Sequence, residues 1–176
     1  MWFSLVISLC SSMAKGVFLG GLIYMAGEIM DDTVSENSKH KLEEEKPYML
    51  MYGQQQVFTN LVIISPIVYG LMDCFWLSHT GGFTVTKYGG LIFIQNIGYF
   101  LVHRAMHLNR GLYKYHKLHH QFDTLVIPSI GNAVSQVEFC LAYMMPLISG
   151  AFVVQPNETT FLAAIGTIGI FNILIH

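Results

Sequence analysis

The run from Val57 to Leu77 limits what this chain can become more than any other stretch. It is long and apolar enough for a helix to cross a hydrocarbon core of about 30 Å. Lipid offers no partner to bare backbone groups, so such a run folds as a helix. Pro66 is compatible with that, provided neighbours satisfy the carbonyl it frees. Asp73, near the end of the run, is expected at the membrane interface rather than paired inside a bundle. Residues 2–27, 139–154 and 159–175 are similarly apolar. The last two, joined by Gln155-Pro156-Asn157-Glu158, read as a tight helical hairpin. Residues 88–102 are apolar but shorter, reaching roughly 22 Å at 1.5 Å per residue. They are expected to enter the membrane and run on into the polar segment that follows, which would bury Gln95 and Asn96. The whole chain is 53% apolar and 11% charged, whereas soluble domains carry roughly 25% charged residues. Together these features point to an all-α integral membrane helical bundle. The formal net charge of −2 gives no reason to expect nucleic acid as a partner.

Segment 2–27 holds a single charge, Lys15, and lacks the basic start of a signal peptide, so it is expected to be retained as a helix. Lys15 would snorkel to an interface or mark a break in the helix. Residues 28–47 turn abruptly charged and read as a solvated loop or short surface helix, with His40 a surface histidine. The chain thus divides into 1–48, a membrane helix plus acidic loop, and 49–176, a second membrane region. Cys10, Cys74 and Cys140 show no CxxC spacing and are expected as packed free thiols. His79, in Ser78-His79-Thr80-Gly81-Gly82, reads as a solvated loop residue.

Five of the eight histidines lie between residues 103 and 120. His103 and His107 are four apart and share a helical face; His116, His119 and His120 are spaced three and four apart and share one by the same rule. Two such faces close around metal, and neutral imidazole suits Fe, Zn, Cu or Ni. Asn109-Arg110-Gly111 breaks the helical run, with Gly111 expected to take a positive φ. Arg104, Arg110, Lys114 and Lys117 make this the most basic region and favour a cytosolic position. Residues 124–138 read as a loop or short membrane-surface helix. Spacing alone therefore gives a polyhistidine metal site at a membrane surface.

The run Asn96-Ile97-Gly98-Tyr99-Phe100-Leu101-Val102-His103-Arg104-Ala105-Met106-His107 resembles the first box, with its lead-in helix, of the fatty acid hydroxylase and sterol desaturase superfamily. Leu112-Tyr113-Lys114-Tyr115-His116-Lys117-Leu118-His119-His120-Gln121-Phe122 resembles that family's LYKxHKxHH box. Asn96 stands where the family usually has an acid, and Ser135 with Glu138 stand where it commonly shows HPxE. The resemblance, over roughly residues 57–176, implies a membrane bundle with a cytosolic histidine-box helical cap. It implies two iron ions held by His103, His107, His116, His119, His120 and His176, with Asn96 and Glu138 as residues that orient the ligands. It also implies O2 as co-substrate and a membrane lipid, a sterol or long-chain fatty lipid, that is hydroxylated or desaturated. Electrons would come from a reductase and a small haem protein, in the endoplasmic reticulum. Asn172-Ile173-Leu174-Ile175-His176 resembles the lead-in to a further histidine box, so the catalytic domain is expected to be incomplete at its C-terminus and impaired on its own.

Other classes remain in view. A metal-binding membrane protein such as a transporter predicts ionisable groups inside the spanning helices, where only Lys15 and Asp73 qualify. A non-catalytic scaffold would keep the histidines for packing, and an inactive fragment of the oxidase would keep them without turnover. With the boxes cytosolic, the hairpin tip lies on the far side, where Asn157-Glu158-Thr159 forms an N-glycosylation sequon. It is expected to go unused because it sits so close to the membrane.

Overall fold

The computed structural model describes residues 2–122 and 125–174. Among them, regular structure is helical, with one isolated bridge between Ser78 and Asn157. In chain order the helices are α1 (Trp2–Val34), α2 (Glu36–Glu45), α3 (Pro47–Phe75), α4 (Val85–Leu108), α5 (Arg110–His120), α6 (Gln136–Val154) and α7 (Glu158–Leu174). A 3-10 turn, Pro128–Ile130, lies between α5 and α6. α1, α3 and α6 are each long and apolar enough to cross a membrane.

α3 and α6 share a device. Each contains a π turn, Thr59–Ile64 in one and Phe139–Met144 in the other, with a proline two residues on, at Pro66 and Pro146. A proline inside a helix has no N–H to donate and crowds the carbonyl four residues back, and a locally wider turn relieves both problems. The wide turns are closed by Ser65 N–H on Asn60 O and by Met145 N–H on Cys140 O. The Ser65 hydroxyl also donates to Asn60 O, at 2.9 Å. Both distorted stretches pack against glycine. The Pro146 ring sits on Gly98 of α4, and Leu61 of α3 presses its carbonyl on Gly20 of α1, where a Cβ would lie 2.1 Å from Leu61 O. Backbone contact of this kind is open only to small residues. Gly20→Ala is therefore expected to destabilise the bundle by about 1–3 kcal/mol, the usual cost of overpacking. Gly21→Ala, with nothing within 4 Å of its Cβ, should leave the thermal midpoint in detergent unchanged. Equal midpoints for the two variants would refute this packing account.

α1 runs antiparallel to α3, so the bundle has two ends. At one, Gly27 meets Ser129 and the histidine-bearing helices gather; at the other, Ser12 meets Asp73 and Ser78 meets Pro156. α4 connects the ends. From Val85 to His103 it rises about 27 Å at 1.5 Å per residue, close to the thickness of a bilayer core.

Several expectations are corrected. α1 does not give way to a loop at residue 28; it continues to Val34, and Asp31 is fully buried, accepting Ser129 N–H at 2.9 Å. Lys15 leaves α1 unbroken and pairs with Glu158. Asp73 is paired inside the bundle: it is 3% exposed and accepts a hydrogen bond from the Ser12 hydroxyl. α3 starts at Pro47. Gly111 has no positive φ; Asn109 makes the break instead, in extended conformation. Gln95 is buried as expected, but Asn96 is exposed. Residues 128–134 form no membrane-surface helix and are buried beneath the histidine end. The three cysteines are free, yet Cys10 is exposed rather than packed. His40 is a surface residue beside Glu44. The hairpin is present, and Asn157 serves it directly, donating to Gly82 O and accepting Thr160 N–H at 2.9 Å.

Candidate metal centre

α4 ends at Leu108 and α5 begins at Arg110, with Asn109 between them. The Asn109 side chain accepts Gly111 N–H at 2.8 Å and Leu112 N–H at 3.3 Å, capping the donors that a helix start leaves unpaired. This one-residue hinge folds α5 back on the end of α4, so the two histidine faces meet.

They meet through one kind of atom. His103 Nε2 lies 3.2 Å from His107 Nε2, which lies 3.1 Å from His116 Nε2, which lies 2.8 Å from His120 Nε2. The rings cross edge to face, with His103 and His116 centroids 4.5 Å apart. His119, three residues from His116, turns to the other side and stacks on the His116 ring at 6.0 Å. His119 and His120 are adjacent, so they diverge by about 100° around the helix. His120 joins the cluster, and His119 faces the cleft described below.

The fully buried His116 is oriented from behind. Its Nδ1 lies 2.6 Å from Glu138 Oε1, and the tautomer with its proton on Nδ1 leaves the Nε2 lone pair aimed at the other imidazoles. Glu138 is held by its own helix start: Ser135 caps α6 and accepts Glu138 N–H at 3.2 Å. The serine and acid of Ser135-x-x-Glu138 thus have separate tasks, one fixing the helix and one fixing the imidazole. Burial first, and then the imidazoles of His103, His120, His107 and His119, push His116 down to about 3. His120 is lowered as well, by burial and by His107. At neutral pH these rings are uncharged and their lone pairs are available.

A cation fits this arrangement. Nitrogen lone pairs facing one another at 2.8–3.2 Å repel unless a proton or cation lies between them. Ligand nitrogens about 2.0–2.1 Å from a shared metal sit about 2.9 Å apart where they meet it at right angles and about 3.4 Å apart where they are tetrahedral, and the successive pairs here lie near the first of these. The Nε2 or Nδ1 donors of His103, His107 and His116 all fall within 4.8 Å of one another.

Beside the cluster opens a cleft of about 460 Å³. Ile92, Tyr99, Tyr143, Ile168 and Phe171 give it apolar walls, and His119 closes it at the histidine end. Gln95, Asn96, Asn132 and Asn172 add amides to its lining. Asn96 does not reach a histidine; its amide donates to Ile92 O of its own helix at 2.7 Å. His176 lies outside the described residues. Gln95 and Asn132 were not singled out by sequence reasoning as site residues. Burial of a polar residue within an apolar helix was the available signal for Gln95, whose Oε1 has no hydrogen-bond partner among the described residues.

A sequence model of the family described as fatty acid hydroxylase matches residues 88–176, which carry both histidine pairs, Glu138 and most of the cleft. No curated protein and no solved structure matches the chain.

Proposed function

This chain belongs to the fatty acid hydroxylase family, and from that premise we propose that it carries out O2-dependent hydroxylation or desaturation of a sterol or long-chain lipid at a histidine-ligated di-iron centre. Membership makes it an oxidoreductase of membrane lipids in general terms; iron, and its number, belong to the proposal. The observation that carries it is the convergence of the His103, His107 and His116 nitrogens, with His120 Nε2 2.8 Å from His116 Nε2 and Glu138 behind His116, beside an apolar cleft.

His103, His107 and His116 would hold one iron, with His120 next to His116 as a further donor, and His119 would be a donor for a second on the cleft side. Iron there supplies the redox chemistry that O2 needs to attack an unactivated C–H bond. The chain's own contribution is placement. Asn109 folds the two ligand helices together, Glu138 fixes the His116 tautomer, and Tyr99, Tyr143 and Ile168 hold an apolar chain beside His119 and exclude water. The cleft volume lies within the range of about 300–1,000 Å³ usual for ligand sites. The basic residues of α5 favour a cytosolic histidine end, where a reductase and a small haem protein would deliver electrons, and the endoplasmic reticulum is the fitting membrane.

The test is expression of the chain together with those donors, with iron per chain and oxidised lipids both measured. Ile168→Trp narrows the cleft away from the histidines. It should retain iron and lower lipid oxidation by about 10-fold or more, because small misplacements of substrate are costly. Absence of iron from the histidine cluster would overturn this reading.

A further inference from the structure

At the other end of the bundle three side chains meet that the histidine cluster does not use. Asp73 closes α3, His79 stands on the loop that follows, and Glu158 opens α7. Their donor atoms all lie within 4.8 Å of one another. His79 Nδ1 is 3.8 Å from Asp73 Oδ1 and 3.7 Å from Glu158 Oε2.

The carboxylates are divided in use. Asp73 Oδ2 accepts from the Ser12 hydroxyl, whereas Asp73 Oδ1 is buried with no hydrogen-bond partner and faces His79. Glu158 Oε1 is taken by Lys15 and by the Tyr69 hydroxyl, the latter at 3.0 Å, whereas Oε2 is the oxygen nearest His79. Each acid is thus gripped on one oxygen and offers the other to a common point. Metal sites are built this way, with outer partners fixing the ligands. The charges leave room for a cation, since two carboxylates face one lysine and His79 is neutral in its ligand form.

We propose that Asp73, His79 and Glu158 form a second metal site, for a divalent ion of the zinc type. An imidazole with two carboxylates matches zinc donors, while magnesium and calcium prefer oxygen alone. Tetrahedral ligands at about 2.0–2.2 Å sit about 3.4 Å apart, so the 3.7 and 3.8 Å spans need only a slight closing. His79 is 58% exposed, which gives the ion access and leaves the fourth position to water. The ion would tie the end of α3, the following loop and the start of α7, and through Ser12 and Lys15 it would fix α1 against them.

The experiment uses the full chain in detergent, stripped with chelator and titrated with Zn2+, then with Co2+ as a spectroscopic probe. The unaltered chain should take one more Zn2+ than His79→Ala and should show a four-coordinate Co2+ band that His79→Ala and Asp73→Asn lack. His116→Ala should keep that band, which separates this site from the histidine cluster. Because His79 is on an exposed loop, His79→Ala should fold with the metal-free thermal midpoint of the unaltered chain. Its midpoint should then fail to rise with Zn2+, while that of the unaltered chain rises. Equal stoichiometry and equal response to Zn2+ in the two proteins would overturn the site, whatever the outcome for lipid oxidation.

Discussion

His116→Ala is expected to lose iron and lipid oxidation together, with metal affinity falling by more than the roughly 10–100-fold that orienting partners alone command. His116 Nε2 is the middle of the chain of contacts, within hydrogen-bond distance of both His107 and His120. Its removal also leaves the buried Glu138, 1% exposed, without its hydrogen-bond partner, which costs about 1–3 kcal/mol. A fall in stability would by itself confuse the reading, so His107→Ala is the companion. His107 is exposed, and among the described residues its Nε2 meets the Nε2 atoms of His103 and His116 rather than a carboxylate. Its loss should lower metal binding while moving folding stability by no more than about 0.5 kcal/mol, the scale of surface changes. Iron content per folded chain and thermal midpoint in detergent separate the two. A His107→Ala protein that binds iron as the unaltered chain does would remove the cluster as a metal centre.

The local part of this site was open to sequence reading, and the distant part was not. His103 with His107, and His116 with His120, follow from helical spacing, because residues four apart must be neighbours on a helix. His119 shows the limit of that rule. Three residues on and four residues on fall to opposite sides of the starting position, about 100° apart, so one of the pair joins the cluster and the other lines the cleft. The fold beyond these turns depends on pairs far apart in the chain. Ser12 with Asp73, Lys15 with Glu158, and Asp31 with Ser129 are each joined by packing that no periodicity reports. Taken singly, Lys15 and Asp73 look like interfacial charges. Only the antiparallel pairing of α1 with α3, set by the glycine contacts, brings Asp73 to Ser12. The π turns escaped in the same way: Pro66 signals a break in the ladder, but the wide turn appears only with the bonds that close it.

Glu138→Gln is expected to split two properties that usually move together. Glutamine is close in size and offers an oxygen where Glu138 Oε1 accepts His116 Nδ1–H. Its amide also offers an N–H in place of Oε2, which is buried and has no partner. Burying an acid is costly whether it is desolvated as a carboxylate or must take up a proton, and glutamine avoids both, so the metal-free protein should be as stable as the unaltered chain or more so. Metal affinity should move the other way. Glutamine can offer no negative charge to the His116 ring when metal is bound, so the ring is a weaker ligand, and if the amide turns its N–H toward Nδ1, the ring proton shifts to Nε2 and blocks the ligand atom. A loss of about 10–100-fold in iron affinity is the measured scale for removal of such a partner, and competition against a chelator reads it directly. If Glu138→Gln instead lowered stability and left iron affinity unchanged, Glu138 would be a structural acid that only happens to touch His116. The opposite signs of the two effects are what distinguish a group that holds a ligand from one that holds a helix.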